Sequence, residues 1–251
     1  MSIKYGINWE LKERYIIINN TPTKVSSVYI WNWDSTATKI RPVWWQPWAN
    51  TIAYYPLTST DTVNDLSWNG YNLTNSNVTF WTYAWVSCAS FNWSNWKLTA
   101  SITTIPQWSN PRTTSVWIYY SGAAGKSIMW YWANRTRYGC WEMRRWSSSG
   151  DWYMFSAYYI DENTAVQTMN TWLLFTVTYD GSIIKQYINW ELKKTSTAYT
   201  LATSGTNFEI WNPYNTSYFQ WYASNAIIEN KARTAQEVAD YYNSTKWNYL
   251  L

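Results

Sequence analysis

The acidic side chains are the residues on which hydrolytic chemistry would depend. A glycosidase places two carboxylates on either side of the bond that it cleaves, and within a strand such a pair occupies positions i and i+2, which face the same way. Asp161 and Glu162 are adjacent and therefore face opposite ways, while Glu209 stands alone and Glu142 has arginines as neighbours. The chain also contains no histidine, so a serine or cysteine nucleophile would lack its usual base. We predict that the protein is not an enzyme.

Binding chemistry is better represented than catalysis. A sugar is held by an aromatic face against its C–H surface and by planar polar groups against its hydroxyls. One segment, residues 134–153, interleaves both kinds of side chain. Its candidate glycan-binding residues are Asn134, Arg135, Arg137, Tyr138, Trp141, Arg144, Arg145, Trp146 and Tyr153, with Trp152 beside them. We predict that they hold a glycan or an acidic polysaccharide; the alternative is a solvated sheet face on which arginine stems lie along aromatic rings. A second, weaker cluster consists of Tyr214, Asn215 and Tyr218.

Metal and thiol chemistry have few candidates. Asp61, Asp65 and Asn69 carry the oxygen atoms that Ca²⁺ takes as ligands, but turns use the same residue types for their own hydrogen bonds. We predict no other cofactor. Cys88 and Cys140 are the only cysteines, and they either form a disulfide or stay as two buried thiols.

Charge and hydropathy exclude several classes of partner. The net charge is +4, and no stretch holds five like charges, so we do not expect nucleic acid as a partner. No stretch approaches about 18 consecutive apolar residues, so we expect no membrane insertion. Residues 1–18 carry charges throughout and lack the apolar core of a Sec signal peptide.

The elements that must position these side chains are strands and tight turns. In segment 172–179 apolar residues alternate with threonine, which is the period of a half-buried strand. Asp180-Gly181 then predicts a type I′ hairpin turn, because glycine accepts the positive φ that this turn requires. A second strand follows over Ile183–Ile188, and Asn189-Trp190 opens the next turn.

This order of residues resembles the central hairpins of laminin G-like and concanavalin A-like jelly rolls. Residues 65–74 (DLSWNGYNLT) and 84–98 (AWVSCASFNWSNWKL) resemble two loop motifs of the same family, with tryptophan at its glycine positions. Thr234-Ala-Gln-Glu237 predicts a capping box for a short helix after the last strand, which is a further mark of the family. The resemblance implies an all-β fold: a two-sheet antiparallel jelly-roll sandwich, concanavalin A-like, over residues 46–251.

Residues 1–45 differ from the rest of the chain. We predict strands over Ser2–Ile7, Glu10–Asn19 and Lys24–Trp31, and a turn followed by a strand over Asp34–Pro42. Such a small β-module cannot close a large core, so we predict that it docks on other subunits or oligomerises. The stretch IWNWDSTATKIRP within it is similar to short N-terminal modules of phage tail and virion surface proteins.

Tryptophan is unexpectedly common. The chain has 23 Trp and only 8 Gly, although glycine normally makes up about 7% of residues. Many Trp follow asparagine or stand in turns, where a positive φ favours glycine and not a bulky ring. The codon UGA is translated as tryptophan in one alternative genetic code and as glycine in another, and we predict that this difference explains the pattern. The suspected positions are Trp9, Trp31, Trp33, Trp44, Trp68, Trp81, Trp85, Trp93, Trp96, Trp108, Trp190, Trp211, Trp221 and Trp247, with either Trp130 or Trp132. The alternative is a truly Trp-rich protein whose rings serve as stacking platforms.

The sequence as a whole favours non-catalytic, lectin-like recognition of a cell-surface or extracellular glycan. The resemblance implies a module of a surface, fibre or phage virion or tail protein, located on a virion or cell surface or outside the cell. One alternative is a purely structural jelly roll that contacts only protein. A second alternative is a glycoside hydrolase.

Overall fold

The chain divides into two compact units, Met1–Trp48 and Ala49–Leu251. The computed structural model describes residues 28–31, 37–40, 49–91, 96–120, 126–132, 137–146, 152–166, 170–210 and 221–249. In the first unit, β1 (Val28–Trp31) pairs antiparallel with β2 (Ala37–Ile40). The predicted strands over Ser2–Ile7 and Glu10–Asn19 lie outside the described residues.

The second unit consists of antiparallel strands and one helix. Its strands are β3 (Thr51–Tyr55), β4 (Thr74–Ser76), β5 (Thr79–Tyr83), β6 (Val86–Phe91), β7 (Lys97–Ser101), β8 (Arg112–Tyr120), β9 (Lys126–Trp132), β10 (Cys140–Trp146), β11 (Trp152–Ser156), β12 (Asp161–Val166), β13 (Trp172–Tyr179), β14 (Ile183–Ile188), β15 (Glu191–Ala198), β16 (Asn207–Ile210) and β17 (Trp221–Glu229). Helix α1 (Ala235–Thr245) and a 3₁₀ turn at Lys246–Asn248 follow.

The described strands form two sheets. A seven-stranded sheet has the order β12-β11-β10-β9-β16-β7-β4, and an eight-stranded sheet has the order β15-β14-β13-β8-β17-β6-β5, with β3 paired to β17. Side chains of both sheets meet in one core: Trp141 of β10 approaches Tyr179 of β13 with ring centroids 6.4 Å apart. The predicted two-sheet antiparallel sandwich is confirmed.

Strand β13 shows how the alternation builds this core. Leu173, Phe175 and Val177 point into the core cluster, as the period of two predicts. The intervening threonines are buried as well, because they find polar partners: the Thr176 hydroxyl lies 2.9 Å from that of Ser115 on β8. The strand is therefore buried along its whole length and not only on one face.

The turns around β14 differ in how well the sequence predicts them. Tyr179 pairs with Ile184 and the Asp180 amide donates to the Ile183 carbonyl at 3.3 Å, so the tip of the turn is Gly181-Ser182 and not the Asp180-Gly181 pair that we predicted. It is closed by the Asp180 carboxylate, which accepts from the backbone of Ile183 at 2.7 Å. The following turn does have two residues, Asn189 and Trp190, and Asn189 supplies a φ of 60°.

Helix α1 begins as predicted. The Thr234 hydroxyl accepts from the Glu237 backbone at 3.2 Å, and the Glu237 carboxylate accepts from the Thr234 backbone at 2.9 Å, which completes the capping box. The helix packs on the outer face of the eight-stranded sheet, where Tyr249 stacks on Trp117 with centroids 3.9 Å apart. That face of the sheet is therefore occupied.

Candidate functional site

Three of the predicted glycan-binding residues are buried: Trp141, Arg145 and Tyr153. Because successive side chains along β10 point to opposite faces, those of Trp141 and Arg145 both point toward the eight-stranded sheet. There the Arg145 guanidinium carbon lies 4.9 Å from the centroid of the Tyr120 ring. Tyr153 on β11 meets the same ring at 6.3 Å. These three side chains are buried between the sheets, so in this structure they are not on the surface where a glycan would bind.

Arg144 lies on the opposite, outer face of β10. Its Nε is 3.4 Å from the Glu142 carboxylate, which also accepts from the Ser127 hydroxyl. Burial raises the pKa of Glu142, while Arg144 and the Ser127 hydrogen bond lower it. Arg144 is thus engaged with a carboxylate on the sheet face and lies away from the loops described below.

Several predicted candidates have no described side chain. Asn134 and Arg135 lie outside the described residues, as do Tyr214, Asn215 and Tyr218. Trp146 and Trp152 are placed in strands, but only as backbone. The prediction for all these residues stays a prediction.

The other two candidates, Arg137 and Tyr138, lie in a group of one arginine and four tyrosines at one end of the sandwich. We call this group the loop-end cluster, and it consists of Arg137, Tyr138, Tyr158, Tyr159 and Tyr199; Arg137, Tyr158 and Tyr159 are exposed, whereas Tyr138 and Tyr199 are half-buried against the core. Its members come from the β9–β10, β11–β12 and β15–β16 connections. Tyr158, Tyr159 and Tyr199 were not among the predicted residues, because nothing in the sequence places those three connections side by side.

Arg137 and Tyr138 form the polar part of the loop-end cluster. The Arg137 guanidinium carbon lies 4.8 Å from the centroid of the Tyr138 ring, and Nη2 donates to the Tyr138 hydroxyl at 2.9 Å. The Tyr138 ring meets Tyr199 edge to face at 6.1 Å. Because Arg137 is exposed, its remaining N–H groups face solvent, in the planar fork that suits a carboxylate or vicinal hydroxyls.

Tyr158 and Tyr159 form the apolar part. Their rings are nearly perpendicular, with centroids 4.8 Å apart. Tyr159 is 76% exposed and Tyr158 is 40% exposed, which is unusual for two neighbouring aromatic residues at a tight bend. Tyr138, Tyr158 and Tyr159 also have positive φ values of 61°, 40° and 79°, a conformation that bulky side chains rarely adopt and that is often found at functional sites.

Backbone hydrogen bonds hold the three connections together. The Tyr138 amide donates to the Tyr158 carbonyl at 3.0 Å, and the Ala202 amide donates to the Tyr138 carbonyl at 2.9 Å. The Tyr199 hydroxyl donates to Glu162 at 2.9 Å, and Glu162 pairs with Lys194 at 3.2 Å. The cluster is therefore built on a fixed framework and not on an isolated loop.

Buried Arg112 supports the same end of the sandwich from inside. Its Nη1 donates to the hydroxyls of Tyr131 at 2.7 Å and Thr203 at 2.6 Å, and its Nε donates to the Asn110 carbonyl at 2.9 Å. Nη2 also donates to the Trp108 carbonyl. One side chain thus fixes the 107–110 turn and the β15–β16 connection to the core.

Two of the three predicted calcium ligands, Asp65 and Asn69, bond to β3 and to their own loop. The Asp65 carboxylate accepts from the backbone of Tyr54, Ser67 and Tyr71 at 2.9–3.0 Å, and the Asn69 amide donates to the Ile52 carbonyl at 2.9 Å. Among the described residues, no group of three or more His, Cys, Asp or Glu side chains could hold a metal ion.

A second surface feature lies on the outer face of the seven-stranded sheet. It is a shallow cleft of about 290 Å³ over β4, β7 and β16. Lys97 Nζ lies 3.6 Å from Glu209, and Glu209 accepts from Trp130 Nε1 at 3.1 Å. Two of the polar groups that line the cleft, Lys97 and Glu209, thus bond to each other.

Similar proteins were found by structure and not by sequence. No family model matches the chain, and no curated protein matches its sequence. The binding domain of botulinum neurotoxin serotype D superposes with a TM-score of 0.65 at 13% identity, over 80% of this chain and 54% of that one. The binding domain of Paraclostridial Mosquitocidal Protein 1 gives 0.65 at 16% identity, over 78% and 52%.

A third similar structure is the serotype D domain in complex with N-acetylneuraminic acid, with a TM-score of 0.61 at 16% identity, over 78% of this chain and 51% of that one. This chain spans about half the length of the chains that it matches. At such identities the likeness concerns the fold alone, a two-sheet β-sandwich. In the described part of the chain, no helix is long and apolar enough to cross a membrane.

Proposed function

We propose that the protein is a non-catalytic glycan-recognition module and that the loop-end cluster carries its binding site. The observation on which this proposal depends is that the connection with the exposed rings of Tyr158 and Tyr159 is bonded to the connection with exposed Arg137, through the Tyr138 amide and the Tyr158 carbonyl at 3.0 Å. A sugar ring needs an aromatic face for its C–H surface and planar donors for its oxygen atoms. The cluster provides both on a framework that is held by hydrogen bonds before any ligand arrives, which lowers the entropic cost of binding.

The similar structures support this proposal at the level of fold. They are described as binding domains, and one of them was crystallised with the sugar N-acetylneuraminic acid. Loops at one end of a β-sandwich are a common place for binding residues, because the sheets hold the loops rigidly. The fold therefore suits a recognition role, while the choice of residues comes from this chain alone.

The setting of the module is part of the proposal. We place it outside the cell or on a virion, as part of a fibre, tail or other surface assembly, with residues 1–45 as the segment that docks on other subunits. The similarity of residues 30–42 to virion modules supports this setting, and the fold is one that a neurotoxin binding domain also has. Glycan is then the partner of residues 46–251.

The test is binding of the full chain to a glycan array, followed by titration of the best sugar. Tyr159→Ala and Tyr158→Ala should each weaken binding by roughly 1 kcal/mol, which is about fivefold in Kd. Arg137→Ala should weaken it further, and Arg137→Lys should restore only part of the loss, because lysine lacks the planar fork. Trp247→Ala serves as the control, since Trp247 is an exposed aromatic on a different element.

Two outcomes would contradict the proposal. If no glycan binds at millimolar concentration, the structural alternative is favoured, in which the sandwich contacts only protein. If a glycan binds but the Tyr158, Tyr159 and Arg137 variants bind as well as the unaltered chain, the site lies elsewhere, and the cleft beside Glu209 becomes the next candidate.

A further inference from the structure

Three tryptophans have a left-handed backbone conformation. The φ values of Trp68, Trp85 and Trp108 are 73°, 69° and 52°. In this region Cβ comes too close to the following carbonyl oxygen, so residues other than glycine, asparagine and aspartate rarely adopt it, and a bulky ring there is an outlier. Something other than intrinsic preference must account for an indole at these positions.

Trp85 stands where a hairpin requires glycine. Tyr83 of β5 pairs with Val86 of β6, which leaves Ala84 and Trp85 as a two-residue loop. Both have positive φ, 44° and 69°, and two positive values in a row define the type I′ turn. Glycine dominates the second position of this turn, because it alone adopts the conformation without a steric penalty.

Trp68 and Trp108 lie in turns of the same demanding kind. Trp68 comes directly after Ser67, whose amide donates to the Asp65 carboxylate at 2.9 Å. It comes two residues before Gly70, which has a φ of 77°. Trp108 is the first central residue of a turn that is closed by the Asn110 amide donating to the Gln107 carbonyl at 3.1 Å. A positive φ at this position is characteristic of glycine and asparagine.

The indole rings of these three residues are largely exposed, so packing against the protein does not offset the backbone strain. Trp68, Trp85 and Trp108 are 76%, 82% and 61% exposed. Other exposed tryptophans differ in this respect: Trp190 packs on Tyr242 with centroids 4.7 Å apart, and Trp247 has an ordinary φ and lies beneath Lys246 at 4.9 Å. Exposure alone is thus not the signal. Exposure combined with a left-handed backbone marks a strained position, as it also does at Tyr158 and Tyr159, and only at a tryptophan can a UGA codon account for it.

We infer that residues 68, 85 and 108 are glycine in the protein that the source organism makes. The corresponding codons are UGA, which the organism translates as glycine and which is read as tryptophan here. The surplus of tryptophan over glycine in the composition, 23 against 8, points the same way, but it is not explained in full by these three positions: Trp221, for example, is buried and stacked on Phe91. Trp117 and Trp141 are different, because their rings are buried and their Nε1 atoms donate at 3.0 Å; these residues are tryptophan under either code.

The direct test reads the gene and the natural protein together. Codons 68, 85 and 108 should be TGA, whereas codons 117 and 141 should be TGG. Peptide masses of the protein from its natural source should then show glycine at the three turn positions. TGG at those codons, or tryptophan in the natural peptides, would overturn the inference.

A stability comparison tests the physical basis of the inference in the recombinant chain. Trp68→Gly, Trp85→Gly and Trp108→Gly should each raise the melting temperature by about 2 °C, because relief of left-handed strain exceeds the entropy that glycine adds to the unfolded chain. Trp247→Gly is the matched control: it removes an equally exposed ring from an ordinary backbone conformation and should lower the melting temperature. The control should have a lower melting temperature than the unaltered chain. If the three turn variants also had lower melting temperatures, the inference would lose its physical basis.

Discussion

The Nη1 atom of Arg112 lies 2.6 Å from the Thr203 hydroxyl and donates a hydrogen bond to it. This bond joins β8, in the centre of the sandwich, to the connection that also carries Tyr199. Arg112 is buried, and the partners that the structure gives it are hydroxyls, carbonyls and the faces of Trp141 and Tyr179. A buried cation held in this way ties the loop-end cluster to the core.

Replacement of Arg112 should therefore destabilise the fold and loosen the cluster together. Arg112→Met leaves the Tyr131 and Thr203 hydroxyls without their charged donor, and we expect a loss of about 3 kcal/mol in the free energy of unfolding. Arg112→Lys keeps the charge but cannot reach several acceptors at once, so it should restore less than half of the loss. Denaturant unfolding measures both variants; an unfolding free energy within 0.5 kcal/mol of the unaltered chain would contradict this role (that margin is about the usual effect of a neutral surface change).

The sequence predicts the sheets and the helix start of this protein better than it predicts its site. Alternation along β13 and the capping box at Thr234 are local signals, and both appear as expected. Which face of β10 turns inward is decided by pairing with β9, whose register shifts between Met143 and Arg144. The sequence alone therefore could not separate Trp141, which faces the core, from Arg144 on the outer face of the same strand.

The loop-end cluster could not be predicted for a related reason. Tyr138, Tyr158 and Tyr199 are far apart in the chain, and only the strand order β12-β11-β10-β9-β16 brings their connections to one end. Arg112 was not singled out at all, because a buried arginine with neutral partners has no local sequence signal. The tyrosines that we propose to bind a ligand thus become a group only in the folded protein.

The contribution of Glu142 to the free energy of unfolding should decrease as the pH rises. Burial raises its pKa above the ordinary value, so the folded state favours the protonated form. The stability that this group contributes is fully present below its unfolded pKa and is lost as the pH rises through the folded one. Glu142→Gln, which mimics the protonated form, should therefore melt at a higher temperature than the unaltered chain at pH 7.

The control for this prediction is the same comparison at low pH. Near pH 4 the two proteins should melt at closer temperatures, because the unaltered carboxyl is then largely protonated. A Glu142→Gln variant that is less stable at pH 7 would show that the contact with Arg144 outweighs the cost of burial. That result would contradict the prediction.

The capping box at the start of α1 should have the opposite dependence on pH. Hydrogen bonds from Lys231 and from the Thr234 backbone lower the pKa of Glu237, so its stabilising effect is present above the unfolded pKa and is lost as the pH falls through the folded one.

Thr234→Ala removes the cap and should cost about 1 kcal/mol, or a fall of about 2–4 °C in melting temperature. Thr234→Ser keeps the hydroxyl and should melt within about 1 °C of the unaltered chain; equal losses for both variants would assign the effect to something other than the cap.

Cys88 and Cys140 should be unreactive thiols in the folded protein. Both are buried and free, on strands of different sheets, and burial raises the pKa of each to about 12. Because the thiolate is the reactive form, a disulfide reagent at pH 8 should modify neither residue while the protein is folded. In denaturant without reductant, both thiols should react at once, and the single variants Cys88→Ser and Cys140→Ser should each lose one equivalent. Two unreactive sulfurs in the unfolded chain would instead mean that the cysteines are paired, and fast modification of the folded protein would mean that the strands carrying them open readily.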